Sequence, residues 1–165
     1  MSFDSEVLGG AMENEFEYVG FWARVGASII DAIIIFVVTA PLLLAIYGWA
    51  YYTDPDAPLI VGPADFLISW VLPTAGVILF WLYKQATPGK MAVSARVVDA
   101  RTGNTMGTGQ AILRYFAYFA AMLPLFLGIF WVAFDPRKQG WHDKIAGTVV
   151  IRPQNRGPEP VRFES

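Results

Sequence analysis

The sequence predicts an all-α membrane protein with two full transmembrane helices, a third helical segment broken by a proline, and a small cytoplasmic β element. Of its 165 residues, 55% are hydrophobic and only 16% are charged, whereas an ordinary soluble domain has about 25% charged residues. Charged side chains are absent from residues 32–53, 66–83 and 115–134. Because about 20 apolar residues let a helix cross the hydrocarbon core of a bilayer, each of these stretches is a candidate span.

The composition also excludes several classes of function. The absence of cysteine excludes disulfides, thiolate catalysis and cysteine-based zinc or iron–sulfur sites, and a single histidine excludes a multi-histidine metal site within one chain. With 12 basic and 14 acidic residues, the chain lacks the charge of a basic nucleic-acid binder. No spacing of residues suggests a nucleophile with its base. We therefore expect no enzymatic activity, no cofactor, no metal site and no nucleic-acid partner.

The two spans are predicted from apolar runs and their flanks. The first covers about Phe21–Tyr47, with aromatic residues at both ends, where the membrane meets water. Pro41 is expected to kink this helix or to end its regular part. The connection at residues 53–65 is rich in proline, glycine and aspartate and is predicted to be a loop. The second span covers about Asp65–Tyr83, with Asp65 as its candidate N-cap.

The segments outside the spans divide into tails and a β element. Residues 1–18 carry five acidic and no basic residues, so they lack the positive region of a signal peptide and are predicted to form a flexible tail. Residues 19–153 form the membrane domain, and residues 154–165 form a second flexible tail. Val93, Ala95 and Val97 alternate with polar residues as in a strand. Residues 148–151 form a second strand-like run, which is expected to pair with the first on the same side of the membrane.

The third apolar run, residues 115–134, leaves two topologies open. Cytoplasmic loops are enriched in lysine and arginine, and the connection at residues 48–65 has none, so the N-terminus is predicted to be cytoplasmic. A full third span would place the C-terminal segment outside, although it carries half of the basic residues. Pro124 divides the run into two helices of about 11 residues, each only about 17 Å long. We favour a re-entrant hairpin broken at Pro124, with a full third span as the alternative.

Arg24 and Asp31 are the main candidate site residues. Seven residues turn a helix by nearly two full turns, so both side chains point the same way, about 10 Å apart along the axis. A carboxylate at the depth of Asp31 is costly unless it has a partner or faces water. It is either a proton or cation site, or one half of a structural ion pair with Arg24, Arg114 or Lys144.

A second cluster of candidates lies in residues 135–148. Residues 139–146 are predicted to form a short amphipathic helix that ends at Gly147. His142 is interpreted as an interface residue, and Asp143 and Lys144 as surface charges when taken alone. Residues 87–90, Thr-Pro-Gly-Lys, lack the spacing of a phosphate-binding loop, and a helix end followed by a strand is the better interpretation.

Four motifs, in order, resemble the RDD family of small integral membrane proteins, which is named for one arginine and two aspartates. They are the pair Arg24…Asp31, Thr-Pro-Gly-Lys at 87–90, Gln-Ala-Ile-Leu-Arg at 110–114 and the segment 141–150. The resemblance maps the family name onto Arg24, Asp31 and Asp143 and makes Asp143 a candidate partner of the first helix. It implies a bacterial inner-membrane protein, usually with three transmembrane segments, and a suspected transport role that includes sodium–proton exchange in some members.

Two functions are carried forward. In the first, Asp31 binds a proton or small cation, Arg24 adjusts its charge state and Asp143 pairs or gates near the cytoplasmic face, with Arg114, His142 and Lys144 as secondary site residues. Two or three spans do not enclose a pathway, so this role requires a homo-oligomer or a partner membrane protein. In the second, the protein is a non-transporting assembly subunit, and the same charged residues only hold its fold.

Overall fold

Two long apolar helices dominate the computed structural model, which describes residues 16–154. Helix α1 is Phe21–Tyr47 and helix α3 is Pro63–Lys84, and the short helix α2, Ala50–Thr53, lies between them. Both long helices are apolar and long enough to cross a membrane. Their apolar side chains are largely uncovered, since Phe36 is 64% and Val37 is 62% exposed. An apolar surface this exposed is suited to lipid and would be unfavourable in water.

Each long helix contains a proline that the structure accommodates without ending the helix. Helix α1 continues through Pro41 to Tyr47, so of the two predicted effects of Pro41, a kink or an end of the regular part, the second was wrong; Gly48 at φ 72° ends the helix. Helix α3 has a π-helical turn at Phe66–Val71, which ends two residues before Pro73. Proline lacks the N–H of a regular helical hydrogen bond, and the helix continues past it to Lys84.

The chain after α3 differs from the predicted helix end followed by a strand. Gln85, at φ 57°, ends α3, and helix α4 then covers Pro88–Ala92. Proline is favoured in the first turn of a helix because its missing N–H would have no partner there. The strand therefore begins later than the alternation suggested: β2 is Arg96–Asp99.

A three-stranded antiparallel sheet gathers three distant parts of the chain. Strand β1 is Phe16–Tyr18 and strand β3 is Thr148–Pro153, and the sheet order is β1-β3-β2. The predicted pairing is confirmed, with Val97 opposite Val150. Strand β1 corrects the prediction that residues up to Tyr18 form a flexible tail, because backbone pairing to β3 orders residues 16–18. The rest of that predicted tail, and residues 155–165 of the C-terminal one, lie outside the described residues.

The third apolar segment is broken near Pro124, as predicted. Helix α5 covers Thr108–Met122, and helix α6, Leu127–Phe130, continues into a 3₁₀ turn that ends at Ala133. The two parts meet at an angle of 112°. Leu125 and Phe126 adopt left-handed backbone conformations at the break. Such a bend fits either a re-entrant loop or a broken span.

The core that positions the candidate site lies between the sheet and the ends of the long helices. Val19, Val97, Val150 and Ala111 are fully buried there, and Trp81 of α3 packs with them at 2% exposure. The short helix α7, Trp141–Ala146, lies against α5 and ends at Gly147, whose φ of 64° suits glycine. This core holds α7 and α5 beside the first turn of α1.

Candidate functional site

A buried ion pair joins the start of the first span to helix α7. Arg24 Nη1 lies 2.6 Å from Asp143 Oδ2, and the two side chains are 10% and 0% exposed. Arg24 also donates from Nε to the Val19 carbonyl at 3.0 Å and from Nη2 to the Lys138 carbonyl at 2.5 Å. Each of the three guanidinium nitrogens of Arg24 therefore has a hydrogen-bond partner. The resemblance-based expectation that Asp143 partners the first helix is met by this contact.

A second arginine completes the arrangement, which we call the ion triad: Arg24, Asp143 and Arg114. Arg114 Nη1 of α5 lies 2.5 Å from Asp143 Oδ1, and both side chains are 0% exposed. Thr148 Oγ1 accepts a further bond from Arg114 Nη1. Burial alone would raise the pKa of Asp143, but the guanidinium groups of Arg114 and Arg24 outweigh it and hold that pKa well below its usual range. Asp143 is therefore a fixed anion that holds three elements together.

His142 is neutral and packed beside the triad. Its ring stacks on Tyr118 at 3.9 Å between centroids, and the residue is 2% exposed. Burial lowers the pKa of His142 to about 3, and the positive charges of Arg114 and Arg24 add to this effect, while Asp143 opposes it. Neither ring nitrogen has a hydrogen-bond partner among the described residues. His142 is thus buried between α5 and α7 with unused hydrogen-bonding capacity.

Asp31 forms no salt bridge with Arg24, Arg114 or Lys144. The interpretation of Asp31 as one half of a structural ion pair with one of these residues was therefore wrong. Its Oδ2 accepts a hydrogen bond from the Thr87 hydroxyl at 2.5 Å, and its Oδ1 accepts one from the Gly89 backbone N–H at 2.7 Å. No lysine or arginine nitrogen among residues 16–154 lies within 4 Å of it. Seven residues of helix separate Arg24 and Asp31 by about 10 Å along the axis, which is too far for a salt bridge.

The contact between Asp31 and helix α4 depends on a glycine. A Cβ at Gly89 would lie 1.9 Å from the Ala27 carbonyl oxygen and 2.9 Å from the Asp31 carboxyl carbon. No side chain fits at that distance, so the backbone of α4 touches α1 directly. The family-like Thr-Pro-Gly-Lys motif, which was interpreted from the residues alone as a helix end followed by a strand, therefore docks α4 against the first span.

Lys144 forms no salt bridge with Asp143 or with Asp31. Its ammonium forms a salt bridge with Asp135, and it is 44% exposed. Asp135 also accepts backbone hydrogen bonds from Arg137 and Gln139. Burial works against ionisation of Asp135, but these donors and Lys144 hold its pKa below the usual range. Lys144 thus stabilises the turn before α7 and is not brought into the site.

A third buried acid, Asp65, lies at the other end of the long helices. It is 1% exposed and accepts hydrogen bonds from the hydroxyls of Tyr51 and Ser69 and from the Val61 N–H. Gly62 occupies the N-cap position that was predicted for Asp65. The hydrogen-bond partners of Asp65 are neutral, and through them Asp65 holds the connecting loop against α3.

Sequence reasoning missed Thr87, Gly89 and Lys90 as site residues. Lys90 is 7% exposed, and its ammonium lies 5.9 Å from the centre of the Trp81 ring. The available signal was the position of all three in one family-like motif. No group of three or more histidine, cysteine, aspartate or glutamate side chains suited to a metal ion is found in the part of the chain that the structure describes.

Two apolar helices of membrane-spanning length, joined at one end by a buried ion triad and a small sheet, define a small helical membrane protein. The family model described as RDD family matches residues 18–147, and the chain belongs to this family.

Relatives from bacteria are similar to this chain over different lengths. An uncharacterized protein of Rickettsia prowazekii, RP437, is 44% identical over 75 residues, which are 46% of this chain and 41% of that protein, so the match spans less than half of this relative's length. The uncharacterized protein YxaI of Bacillus subtilis is 31% identical over 80% of this chain and 95% of its own length. The uncharacterized membrane protein YteJ of the same species is 29% identical over 81% of this chain and 80% of its own length. No solved structure matches the chain.

Proposed function

We propose that the protein takes part in proton or small-cation transport across the bacterial inner membrane, with Asp31 as the group that binds the ion. The observation that carries the proposal is the environment of Asp31. It is an acid on a membrane-spanning helix that is held by neutral donors and is not neutralised by a cation. Intramembrane acids of this kind commonly mark ion or proton pathways.

The hydrogen bonds of Asp31 are compatible with a change of protonation. A threonine hydroxyl is both a donor and an acceptor, so Thr87 can donate to the ionised carboxylate and accept from the protonated acid. The Gly89 N–H can keep its bond to the other oxygen. Asp143 differs, because its protonation would leave two buried arginines without a counter-charge. Asp31 is therefore the acid that can exchange an ion while the fold is kept.

A groove between the two spans leads away from Asp31. It has a volume of about 220 Å³ and is lined by both helices, from Asp31 and Thr87 to Thr39 and Leu72. Eight residues of α1 correspond to about 12 Å along its axis, a substantial part of the hydrocarbon core. Two helices leave this groove open on one side, so transport requires a second copy or a partner membrane protein to close it.

The sheet supports the re-entrant topology. Strand β2 precedes the third apolar segment and strand β3 follows it, and the two strands are paired. Strand β1, directly before α1, pairs with β3 as well. All three strands of an extramembrane sheet lie on the same side of the bilayer. In the proposed topology, α1 and α3 therefore each cross the bilayer, and the segment α5–α6 enters it and returns to the same side. The lysine and arginine distribution supports a cytoplasmic location for the sheet.

Cysteine labelling tests this topology, since the natural chain has no cysteine. Asp56→Cys lies in the loop between the spans, Asn104→Cys lies before α5, and Gln154→Cys lies after β3. We expect an impermeant thiol reagent outside intact cells to label only Asp56→Cys. Labelling of Gln154→Cys from outside, with Asn104→Cys protected, would establish three spans and overturn the re-entrant arrangement.

Everted membrane vesicles test the transport proposal. Cation-dependent pH changes are recorded with a pH-sensitive dye for the wild type, for Asp31→Asn and for the loop variant Asp56→Asn, all at matched protein levels. We expect Asp31→Asn to abolish the response and Asp56→Asn to keep it. An Asp31→Asn response equal to that of the wild type would remove this acid from the mechanism.

The ion triad favours a second candidate, a non-transporting assembly subunit. Asp143 and Arg114 are fully buried. A buried network of this kind holds the membrane and extramembrane segments in a fixed arrangement. This role predicts that Arg24→Ala lowers the protein level and the recovery of a co-purified partner together, without an ion-dependent phenotype in any Asp31 variant. Co-purification in mild detergent combined with the vesicle measurement separates the two functions.

A further inference from the structure

A cavity separate from the Asp31 groove lies between helix α1 and the broken third segment. It has a volume of about 480 Å³, within the range of roughly 300–1,000 Å³ that is usual for small-molecule sites. Most of its wall is apolar and comes from α1, α5 and α6. This wall includes Phe21, Val25, Ile29, Met122 and Phe130. The apolar wall favours a hydrocarbon chain as the occupant of most of the space.

The other end of the cavity is polar and carries an excess of positive charge. Arg24, Lys90, Tyr118 and His142 line it. Behind Arg24, the single carboxylate of Asp143 is shared between two arginines. The cations Arg24, Arg114 and Lys90 therefore face one anion, which leaves an excess of two positive charges in a largely buried region. An anionic group would lower this electrostatic cost.

Two buried polar side chains at this end have unused hydrogen-bonding capacity. Lys90 is 7% exposed, and its ammonium has no acidic partner within 4 Å among residues 16–154. His142 is 2% exposed, and both of its ring nitrogens lack a partner in the same part of the chain. A neutral imidazole has one N–H donor, and an ammonium has three. Buried polar groups are normally paired, so both point to a ligand with acceptor oxygens.

We propose that this cavity binds one anionic phospholipid, with its phosphate at Lys90 and His142 and an acyl chain along the apolar wall. Arg24 lies in the first turn of the membrane-spanning helix α1, so the polar end is at the depth of the headgroups. A free anion would leave the apolar wall uncovered, whereas a phospholipid matches both ends of the cavity. Basic pockets between membrane helices are known to hold lipid headgroups.

Lipid binding to the purified full-length protein in non-ionic detergent tests the proposal. Binding is measured by native mass spectrometry and by the rise in melting temperature. The ligands are phosphatidylglycerol, zwitterionic phosphatidylcholine and inorganic phosphate. We expect one phosphatidylglycerol per chain, with an affinity at least tenfold above that for phosphatidylcholine, and no effect of inorganic phosphate. Equal binding of the two lipids, or an equal effect of inorganic phosphate, would overturn the proposal.

Two variants with a matched control locate the site. Lys90→Gln is expected to weaken phosphatidylglycerol binding by about tenfold, the usual effect of losing a hydrogen bond to a charged group. Lys84→Gln removes the same charge from an exposed position at the end of α3 and is expected to bind as the wild type does. Equal affinities of the two variants would refute the assignment.

A third variant keeps the proposal testable if Lys90→Gln does not fold. Ala32 lines the apolar wall and is itself exposed. Ala32→Phe fills that part of the cavity without changing any charge. We expect it to weaken phosphatidylglycerol binding, and retention of wild-type affinity would contradict an acyl chain at this wall.

Discussion

Burial of the single histidine leads to a prediction about how the stability of the protein depends on pH. His142 is buried on Tyr118, and its folded-state pKa is about 3, whereas an unfolded histidine has a pKa of about 6.5. Between these values the unfolded chain binds a proton that the folded protein excludes. Acidification therefore favours unfolding. The stabilisation is complete above about pH 6.5 and is lost as the pH falls from there towards 3.

The magnitude follows from the two pKa values. A histidine with an unfolded pKa of about 6.5 that stays neutral when folded contributes about 2 kcal/mol less stability at pH 5 than at pH 7. For a chain of this size, that corresponds to a fall of roughly 4–8 °C in melting temperature. The chain has no other histidine. The difference between the wild type and a variant that lacks this imidazole, measured from pH 7 to pH 5, thus reports on His142.

The assay compares the wild type with His142→Phe, which keeps an aromatic ring against Tyr118 and removes both nitrogens. Melting temperatures are measured between pH 7 and pH 5 in neutral detergent without anionic lipid. We expect the wild type to lose about 2 kcal/mol more stability over this range than the variant does. A flat wild-type profile, or an equal loss in the variant, would refute the assignment of a neutral buried histidine.

Further substitutions test the packing around the triad. Gly89→Ala is expected to destabilise the protein by about 2 kcal/mol or more, because its Cβ would meet the Ala27 carbonyl at 1.9 Å. Gly109→Ala, which has open space, serves as the control in the same thermal melt. Asp143→Asn is expected to cost about 3–5 kcal/mol, because it leaves two arginines buried without a counter-charge; unchanged denaturant stability would contradict this. Since the arginines lower the pKa of Asp143, its contribution is present above about pH 4 and is lost below it. A melt from pH 4.5 to 3 that leaves the stability difference between the wild type and Asp143→Asn constant would argue against it.

The spans were predictable because the bilayer acts on each helix separately. Uncharged runs and aromatic flanks predicted Phe21–Tyr47, and the structure has the same bounds. The second helix, Pro63–Lys84, begins two residues before the predicted start. The break near Pro124 was predictable as well, because proline removes a backbone hydrogen bond within any helix.

The sheet was only partly predictable. The pairing of residues near Val97 and Val149 followed from their β-branched composition. Phe16–Tyr18, by contrast, lies in an acidic segment with no strand pattern, and it is ordered because β3 offers an edge for pairing. A three-residue strand carries too little local signal to be separated from a flexible tail.

The partners of the charged residues depended on tertiary structure. Helical spacing predicted that Arg24 and Asp31 share one face, but it could not show that Arg24 meets Asp143 or that Asp31 meets Thr87 and Gly89. Those partners are 56 to 119 residues apart in the chain. Only the resemblance to a known family pointed to Asp143.

The amino-acid sequence by itself determined the membrane class, the two spans and the interruption of the third segment, since hydropathy, helix length and proline geometry act over a few turns. Only the tertiary structure decided which acid is neutralised and which is left with neutral donors, because charges are paired by packing between distant segments. Asp143 lies where α1, α5 and α7 converge. Asp31 meets a hydroxyl and a backbone amide at the start of α4, and no lysine or arginine nitrogen among residues 16–154 lies within 4 Å of it.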